Sequence, residues 1–238
     1  MSNEIVLIAF YVIILLYSVI LHEVFHGIVA LWLGDVTAKY AGRISANPFK
    51  HIDPMMTILM PILLLILTAG HFAFGGAKPV PYNPYNLRNQ KWGPAMVALG
   101  GPLSNIVIAL VAAIVAKLIA IPAMLKVSII NDFGVLYGSS PNWTSLAQYM
   151  HDSLGAIFFV LLVMIIIWNV LLAFFNLIPI PPLDGSKILY GIFSIKVETM
   201  AFLEQFGFIF LIAIIFIFGG LLNLFLVFFW NIFLSIAI

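Results

Sequence analysis

The chain has 238 residues, of which 64% are hydrophobic and only 8% are charged, with a formal net charge of +1 at pH 7. Soluble domains carry about 25% charged residues, so this chain cannot cover a water-facing surface and is expected to be an integral membrane protein. A net charge near zero gives no reason to expect a nucleic-acid partner. The absence of cysteine excludes disulfides, thiolate metal sites and thiol catalysis.

The first apolar segment, residues 4–33, is long enough to cross a bilayer and carries the sequence HEVFH near its end. Its two histidines, His22 and His26, lie one helical turn apart on the same face, so both can bind one metal ion. Glu23 between them can reach a metal-bound water, as in the H-E-x-x-H motif of zinc peptidases. The alternative is a pair of interfacial histidines that are hydrogen-bonded to the backbone.

The segments that follow are less regular. Residues 36–47 are short, mixed in polarity and interrupted by glycine, which predicts a weak β-hairpin. Residues 55–74 are apolar but lie at the short end of the length range of a transmembrane helix, so they form either a full span or a re-entrant element. Residues 74–93 are rich in glycine, proline and asparagine, which predicts a loop.

Three further apolar segments are long enough to cross a bilayer, at residues 94–121, 153–177 and 206–238. The last exceeds one crossing and contains two adjacent glycines, so it is either a tilted or a bent span. A short amphipathic helix is expected at 185–195. We therefore expect a single domain over residues 1–238, with a catalytic core at about 4–195 and a C-terminal span at about 206–238.

Charge in the loops predicts the topology. Cytoplasmic loops of membrane proteins carry an excess of lysine and arginine, and residues 34–53 and 74–93 form the two most basic loops. Both should therefore face the cytoplasm, while residues 122–151 face outward. Two loops on one side require the segment between them to cross an even number of times, which favours a re-entrant element at 55–74. The HEVFH sequence then lies near the cytoplasmic surface.

A zinc peptidase needs a third protein ligand, with the fourth position left to water. Asp184, in the sequence NLIPIPPLDG, is the best candidate because the prolines before it restrict the backbone and Gly185 permits a tight turn. A carboxylate at the edge of a bilayer is costly, and Zn²⁺ would offset that cost. The alternative role for Asp184 is the N-cap of the following helix.

The sequences HEVFH, GPLSN and NLIPIPPLDG, near the ends of three spans, resemble those of the site-2 proteases, which are intramembrane zinc metalloproteases. The resemblance extends from the first span to about Ile195. It is closest to the compact prokaryotic members that lack PDZ and CBS domains. It implies that His22, His26 and Asp184 bind one zinc ion per chain and that Glu23 is the general base.

The resemblance also implies a catalytic role for Asn105 of the GPLSN sequence, in holding substrate or stabilising the oxyanion. The alternative for Asn105 is a helix-start residue that packs beside Gly101. Asn176 is expected to shape the backbone that presents the third ligand. His51 and His71 lie in the same region, but lone histidines are more often interface residues than ligands.

Together these features predict an all-α polytopic membrane protein with four to five transmembrane helices, a re-entrant element and a small membrane-associated β-hairpin. The expected function is a zinc endopeptidase of the cell membrane, with its active site towards the cytoplasm. Its expected partners are the lipid bilayer and a transmembrane helix of a membrane-anchored substrate, cleaved in regulated intramembrane proteolysis or in clearance of signal-peptide remnants. The hairpin at 36–47 would receive the unwound substrate by edge-strand addition.

Other functions remain open at this point. A membrane metal transporter could use the same three ligands, but Glu23 would then have no role as a base. A non-catalytic scaffold that binds membrane helices is a second alternative. A membrane zinc peptidase with a surface-exposed site is a third, and it would usually take a glutamate as third ligand; neither Glu198 nor Glu204 lies in a comparable motif. The sequence does not determine the oligomeric state.

Overall fold

The computed structural model describes residues 2–67, 75–193, 195 and 197–238, and none of these residues lies in a β-strand. Four of the helices they form are long and apolar enough to cross a membrane, which confirms the prediction of a multi-pass membrane protein. In chain order the α-helices are α1 (Ser2–Trp32), α2 (Thr37–Tyr40), α3 (Met60–Leu67), α4 (Gly93–Leu118), α5 (Ala123–Asp132), α6 (Trp143–Gln148), α7 (Leu154–Asn176), α8 (Gly185–Ile192) and α9 (Val197–Ala237).

Helices α4 and α7 form the centre of the bundle, and α1 and α9 pack against both of them. Helix α4 faces its neighbours with small residues, and in membranes such residues let helix backbones approach closely. Helix α7 meets them with larger aliphatic side chains that are fully buried. The contacting residues are Ala109, Ala112, Ala113 and Ala116 on α4 and Val160, Val163, Ile167 and Val170 on α7.

A close contact between α1 and α4 fixes the HEVFH sequence against the start of the GPLSN sequence. A Cβ atom added at Gly100 would lie 2.9 Å from the carbonyl oxygen of Phe25 and 2.9 Å from Val29 Cγ2. Only glycine therefore allows the two backbones to approach this closely. The two motifs, which are 75 residues apart in sequence at His26 and Gly101, become neighbours through this contact.

The two loops that contain Thr144 and Arg88 lie at opposite ends of α1. Thr144 Oγ1 donates to Glu4 Oε1 at 2.9 Å, so the loop at 119–153 lies beside the beginning of the helix. Arg88 N donates to Leu33 O at 3.0 Å, so the basic loop that contains Arg88 lies beside its end. This arrangement agrees with the sorting of loops that was inferred from charge.

Lys126 of α5 holds two helix ends together on the side of the bundle where α4 and α9 end. Lys126 is only 3% exposed. Its Nζ atom donates to Ala116 O, Lys117 O and Ala237 O at 3.0–3.3 Å. The last carbonyls of a helix have no partner within the helix and carry partial negative charge. One ammonium group therefore satisfies the C-terminal ends of α4 and α9 together.

The prediction of a β-hairpin at residues 36–47 is wrong. Residues Thr37–Tyr40 form α2, and the chain then turns into a 3₁₀ helix at Pro48–Lys50. The cause is tertiary: Ala38 is fully buried against α1, and Arg43 N donates to Ala38 O at 3.0 Å to close the turn. The hairpin therefore cannot receive substrate by edge-strand addition.

The apolar segment at 55–74 is helical where the structure describes it. A π-helix at Pro54–Leu59 continues into α3, and the side chain of Asp53 accepts hydrogen bonds from the first amides. The 14 residues of Pro54–Leu67 span about 21 Å at 1.5 Å per residue, less than the hydrocarbon core of about 30 Å. Residues 68–74, which include His71, lie outside the described residues, so the re-entrant element stays a prediction.

Helix α9 is bent rather than straight. Phe218 has non-helical dihedral angles of φ −115° and ψ 16°, directly before the two adjacent glycines. The bend divides α9 into a first half that passes the loop before α8 and a second half that packs on α4 and α7. Of the two forms that the sequence allowed for this segment, the structure adopts the bent one.

Asp35 connects the end of α1 to two later segments. Its Oδ1 accepts from Thr37 N, Thr37 Oγ1 and Asn86 Nδ2, and its Oδ2 accepts from Asn83 N at 2.7 Å. The residue is 0% exposed. Burial acts to raise the pKa of Asp35, but the hydrogen bonds from Thr37, Asn86 and Asn83 outweigh it and hold the pKa below its usual 3.8.

We expect Asp35→Asn to lower the free energy of unfolding by about 1–3 kcal/mol at pH 7, because its amide group would face hydrogen-bond donors. The lowered pKa means that the ionised carboxylate stabilises the fold fully above about pH 4 and that this contribution is lost as the pH falls through the folded-state pKa. The difference in Tm between wild type and variant, measured by circular dichroism in detergent, should therefore shrink on acidification. The exposed-site variant Asp152→Asn is the control; a difference that grows at low pH would contradict this account.

Candidate metal centre

Three predicted ligands converge where α1 meets the loop between α7 and α8. The Nε2 atoms of His22 and His26 lie 3.0 and 3.3 Å from Oδ2 of Asp184. The three potential ligand atoms all lie within 4.8 Å of one another. Tetrahedral zinc with bonds of about 2.0–2.1 Å holds its ligand atoms about 3.3 Å apart, so the donor set and its spacing fit a zinc ion.

The outward-facing nitrogens of both histidines have protein partners. His26 Nδ1 lies 2.7 Å from Val97 O, and His22 Nδ1 lies 2.6 Å from Asn105 Oδ1. A carbonyl oxygen can only accept, so His26 Nδ1 carries a hydrogen, and in the neutral ring that binds a metal the lone pair is on Nε2. Gly101 N lies 3.3 Å from the same Nδ1 atom, but a nitrogen that donates to Val97 cannot accept this bond. The ring of His26 is therefore oriented as a metal ligand requires.

Asp184 occupies the N-cap position of α8, but its side chain makes no capping hydrogen bond. Its carboxylate points to the two histidines instead. The next residue has to be glycine, because a Cβ atom at Gly185 would lie 2.3 Å from Leu177 O and 2.5 Å from Ile178 O. The turn that presents Asp184 thus depends on the Asp-Gly pair of the NLIPIPPLDG sequence.

Gly101 keeps the space beside the ligand nitrogens open. A Cβ atom at this position would lie 2.5 Å from His26 Nε2 and 2.6 Å from His22 Nε2. Any side chain would therefore collide with the two Nε2 atoms that could bind a metal ion. From the sequence, Asn105 was the candidate in the GPLSN segment. In the structure, Gly101, the first residue of that segment, lies next to the two Nε2 atoms.

The carboxylate of Glu23 is held by the main chain of the loop before α4. Glu23 Oε2 accepts a hydrogen bond from Val80 N at 2.9 Å. Because proline has no N–H, Val80 supplies the only amide donor of the Pro79-Val80-Pro81 sequence. The Val80 side chain is 6% exposed and packs beside Gly27 of α1. This contact was not predicted, because a proline-rich loop carries no spacing signal that relates it to the HEVFH helix.

The remaining candidates are not in the group of three potential ligands. Asn105 is 0% exposed and lies behind the ring of His22. His51 is 1% exposed, and its Nε2 atom lies 2.8 Å from Ser45 O, while its carbonyl accepts from Lys78 N at 2.8 Å. His51 therefore takes part in local loop contacts and is not in the group of ligands. Asn176 Nδ2 donates to Leu172 O of its own helix.

The family model of peptidase family M50 matches residues 10–219. The chain belongs to peptidase family M50. This family comprises the site-2 proteases, so the resemblance inferred from the three motifs is confirmed, as is the prediction of a metalloprotease. The family is zinc-dependent, in agreement with the donor set of the two histidines and Asp184.

Two curated relatives of this M50 peptidase are similar over most of its length. "Putative zinc metalloprotease YwhC" of Bacillus subtilis (strain 168) is 33% identical over 207 residues, which are 85% of this chain and 78% of the relative. "Putative zinc metalloprotease Rip2" of Mycolicibacterium smegmatis is 25% identical over 201 residues, 84% of this chain and 64% of the relative. No solved structure is significantly similar to the chain.

We expect Val80→Pro to lower kcat about tenfold, because it removes the N–H group that positions the Glu23 carboxylate, and a tenfold change corresponds to about 1.4 kcal/mol. Cleavage of a membrane-anchored substrate should be measured together with zinc content. Val80→Ala keeps the N–H group and serves as the matched control, so it should lose less activity. Equal turnover by Val80→Pro and Val80→Ala would show that the hydrogen bond has no role in catalysis.

Proposed function

We propose that this M50 peptidase is an intramembrane endopeptidase that uses His22, His26 and Asp184 as zinc ligands and Glu23 as general base. The convergence of the three potential ligand atoms among apolar helices of membrane-spanning length is the observation that supports this proposal. Bound Zn²⁺ would supply Lewis acidity, which polarises the scissile carbonyl and lowers the pKa of a bound water towards about 7. The chain itself has to place the ligands, the base and the substrate.

The depth of the site supports cleavage within the membrane. His26 lies six residues before the end of α1, and Gly101 lies eight residues after the beginning of α4. At 1.5 Å per residue, both positions are about 9–12 Å from the helix ends. These distances support our proposal that the ligands lie below one surface of the bilayer rather than in a water-exposed domain.

We assign proton transfer to Glu23. It follows His22 directly on α1, and its carboxylate accepts from Val80 N through Oε2. Its task would be to take the proton of the attacking water and pass it to the leaving amine. In a metal transporter this carboxylate would have no such task, so its function distinguishes the peptidase from that alternative.

The substrate class follows from the position of the site. A site within the membrane favours peptide bonds of membrane-anchored segments, and such a segment would have to unwind locally because helical carbonyls are already hydrogen-bonded. Membrane-tethered regulators, cleaved in regulated intramembrane proteolysis, and remnants of signal peptides are the substrates that we propose. We further propose that the active site is at the cytoplasmic side, since the basic loops lie at the same end of α1.

We expect Glu23→Gln to abolish cleavage of single-span membrane substrates, with a loss of about 10²–10⁴-fold, while zinc remains bound. Purified wild type and variant are compared for product formation and for zinc by elemental analysis. Glu4→Gln, the same change at the other end of α1, is the matched control and should keep full activity. Cleavage by Glu23→Gln would refute the general-base role; wild type that binds no zinc would refute the metal site. Zinc transport into vesicles that survives in Glu23→Gln would instead support the transporter.

The native chain has no cysteine, so single introduced cysteines report the topology directly. With a membrane-impermeant maleimide and intact cells, we expect labelling of Ser140→Cys and protection of Arg88→Cys, because these residues lie in loops at opposite ends of α1. Both variants should be labelled after the cells are permeabilised. Labelling of Arg88→Cys alone in intact cells would place the active site at the outer surface.

A further inference from the structure

Three buried polar residues lie behind the ring of His22, one on each of three membrane-spanning helices. They are Ser18 on α1, Asn105 on α4 and Asn169 on α7, and each is at most 4% exposed. A polar side chain inside a membrane bundle is costly unless its hydrogen bonds are satisfied by the protein. The hydrogen bonds among these residues are therefore expected to determine how each amide group is oriented.

The orientation of Asn169 is fixed by its own helix. Its Nδ2 atom lies 2.8 Å from Ile165 O and 2.9 Å from Ser18 Oγ. A main-chain carbonyl can only accept, so the NH₂ group of Asn169 has to face Ile165. Its Oδ1 atom consequently faces α4, where it accepts from Asn105 Nδ2 at 2.7 Å.

The orientation of Asn105 then follows from its two neighbours. Its NH₂ group donates to Asn169 Oδ1 and, at 3.3 Å, to Ser18 O, which is again a main-chain acceptor. Its Oδ1 atom is left to face His22 Nδ1 at 2.6 Å. His22 Nδ1 therefore carries a hydrogen, and in the neutral ring that binds a metal the lone pair is on Nε2, directed to the side where Asp184 lies.

We infer that Asn169 is a positioning residue of the zinc site and acts on His22 through Asn105. This inference rests on the proposed function, because it takes His22 as a zinc ligand. Both hydrogens of each amide are committed to protein acceptors, so neither NH₂ group is free to bind a substrate carbonyl. Asn105 is accordingly assigned to orientation of a ligand and not to the oxyanion.

The two histidines differ in how their rings are fixed. His26 donates to the main-chain oxygen of Val97. The backbone of α4 holds this acceptor in place, and a substitution of the Val97 side chain does not remove it. His22 depends on a side-chain amide, which would be free to flip without Asn169 and Ser18. Removal of Asn169 should therefore weaken one ligand of the site and leave the other intact.

We expect Asn169→Leu and Asn105→Leu each to weaken zinc affinity of the full-length protein by about 10–100-fold, as loss of such supporting hydrogen bonds typically does. Affinity is measured in detergent by competition with a chelator. The double variant should bind zinc no more weakly than Asn105→Leu alone, because Asn169 affects His22 only through Asn105. Wild-type affinity of Asn169→Leu, or losses that add in the double variant, would overturn the inference.

Asn231→Leu is the matched control, since Asn231 also donates to the carbonyl four residues earlier on its helix, but on the exposed face of α9. It should bind zinc as the wild type does. The absorption spectrum of the Co²⁺-substituted protein should change for Asn169→Leu and stay unchanged for this control. Should Asn169→Leu fail to fold, Asn169→Ala replaces it in the cycle.

A measurement on the wild type tests the same inference without any change at Asn169. Nitrogen-15 NMR of histidine-labelled, zinc-loaded protein, with His22 assigned by His22→Gln, should show a proton on Nδ1 and the metal on Nε2; the reverse would overturn it. Because zinc affinity and ring protonation are read without substrate, the outcome is independent of peptidase activity. A protein that binds zinc as described but cleaves nothing would refute the proposed function alone.

Discussion

The structure depends on the meeting of two imidazoles and one carboxylate that come from segments about 160 residues apart. Three local constraints make this meeting possible. Gly100 allows α1 and α4 to approach closely, Gly101 leaves room beside the imidazole nitrogens, and Gly185 permits the turn that carries Asp184. Each position requires glycine because a Cβ atom there would lie within 3 Å of a main-chain oxygen or an imidazole nitrogen. The geometry of the predicted metal site thus depends on close approach of main-chain segments, which small residues allow most readily in a membrane bundle.

Much of this organisation could be predicted from the sequence, because it is encoded in short motifs and in apolar length. The span boundaries follow from hydropathy, and the proposed ligands His22, His26 and Asp184 belong to motifs whose spacing has a chemical meaning. The hairpin at 36–47 was mispredicted because the burial of Ala38 and the hydrogen bonds of Asp35 determine the conformation there. The packing of Ala38 on α1 and the hydrogen bond from Asn83 to Asp35 join separate segments of the chain, so a local sequence pattern does not predict them.

The contacts that support the site were also beyond sequence reasoning. Asn169 is the amide within the span of an apolar helix whose other amide, Asn176, is its last residue, and Val80 contributes only its main-chain N–H. Neither has a partner at a fixed spacing, so nothing in the sequence relates them to the HEVFH helix. An isolated amide in a membrane span is nonetheless informative, since its burial has to be compensated by a specific partner. Here that partner is Asn105, which contacts the proposed ligand His22.

The ammonium group of Lys126 has a consequence for the end of the chain. One of its three acceptors is the carbonyl oxygen of Ala237, and nearby Leu234 and Ala237 are buried against the other helices. The final turn of α9 is therefore an internal part of the bundle rather than a tail. A deletion of only a few C-terminal residues would leave a buried cation with one acceptor fewer and expose the apolar surface beneath it, so affinity tags are better joined through a spacer after an intact last turn.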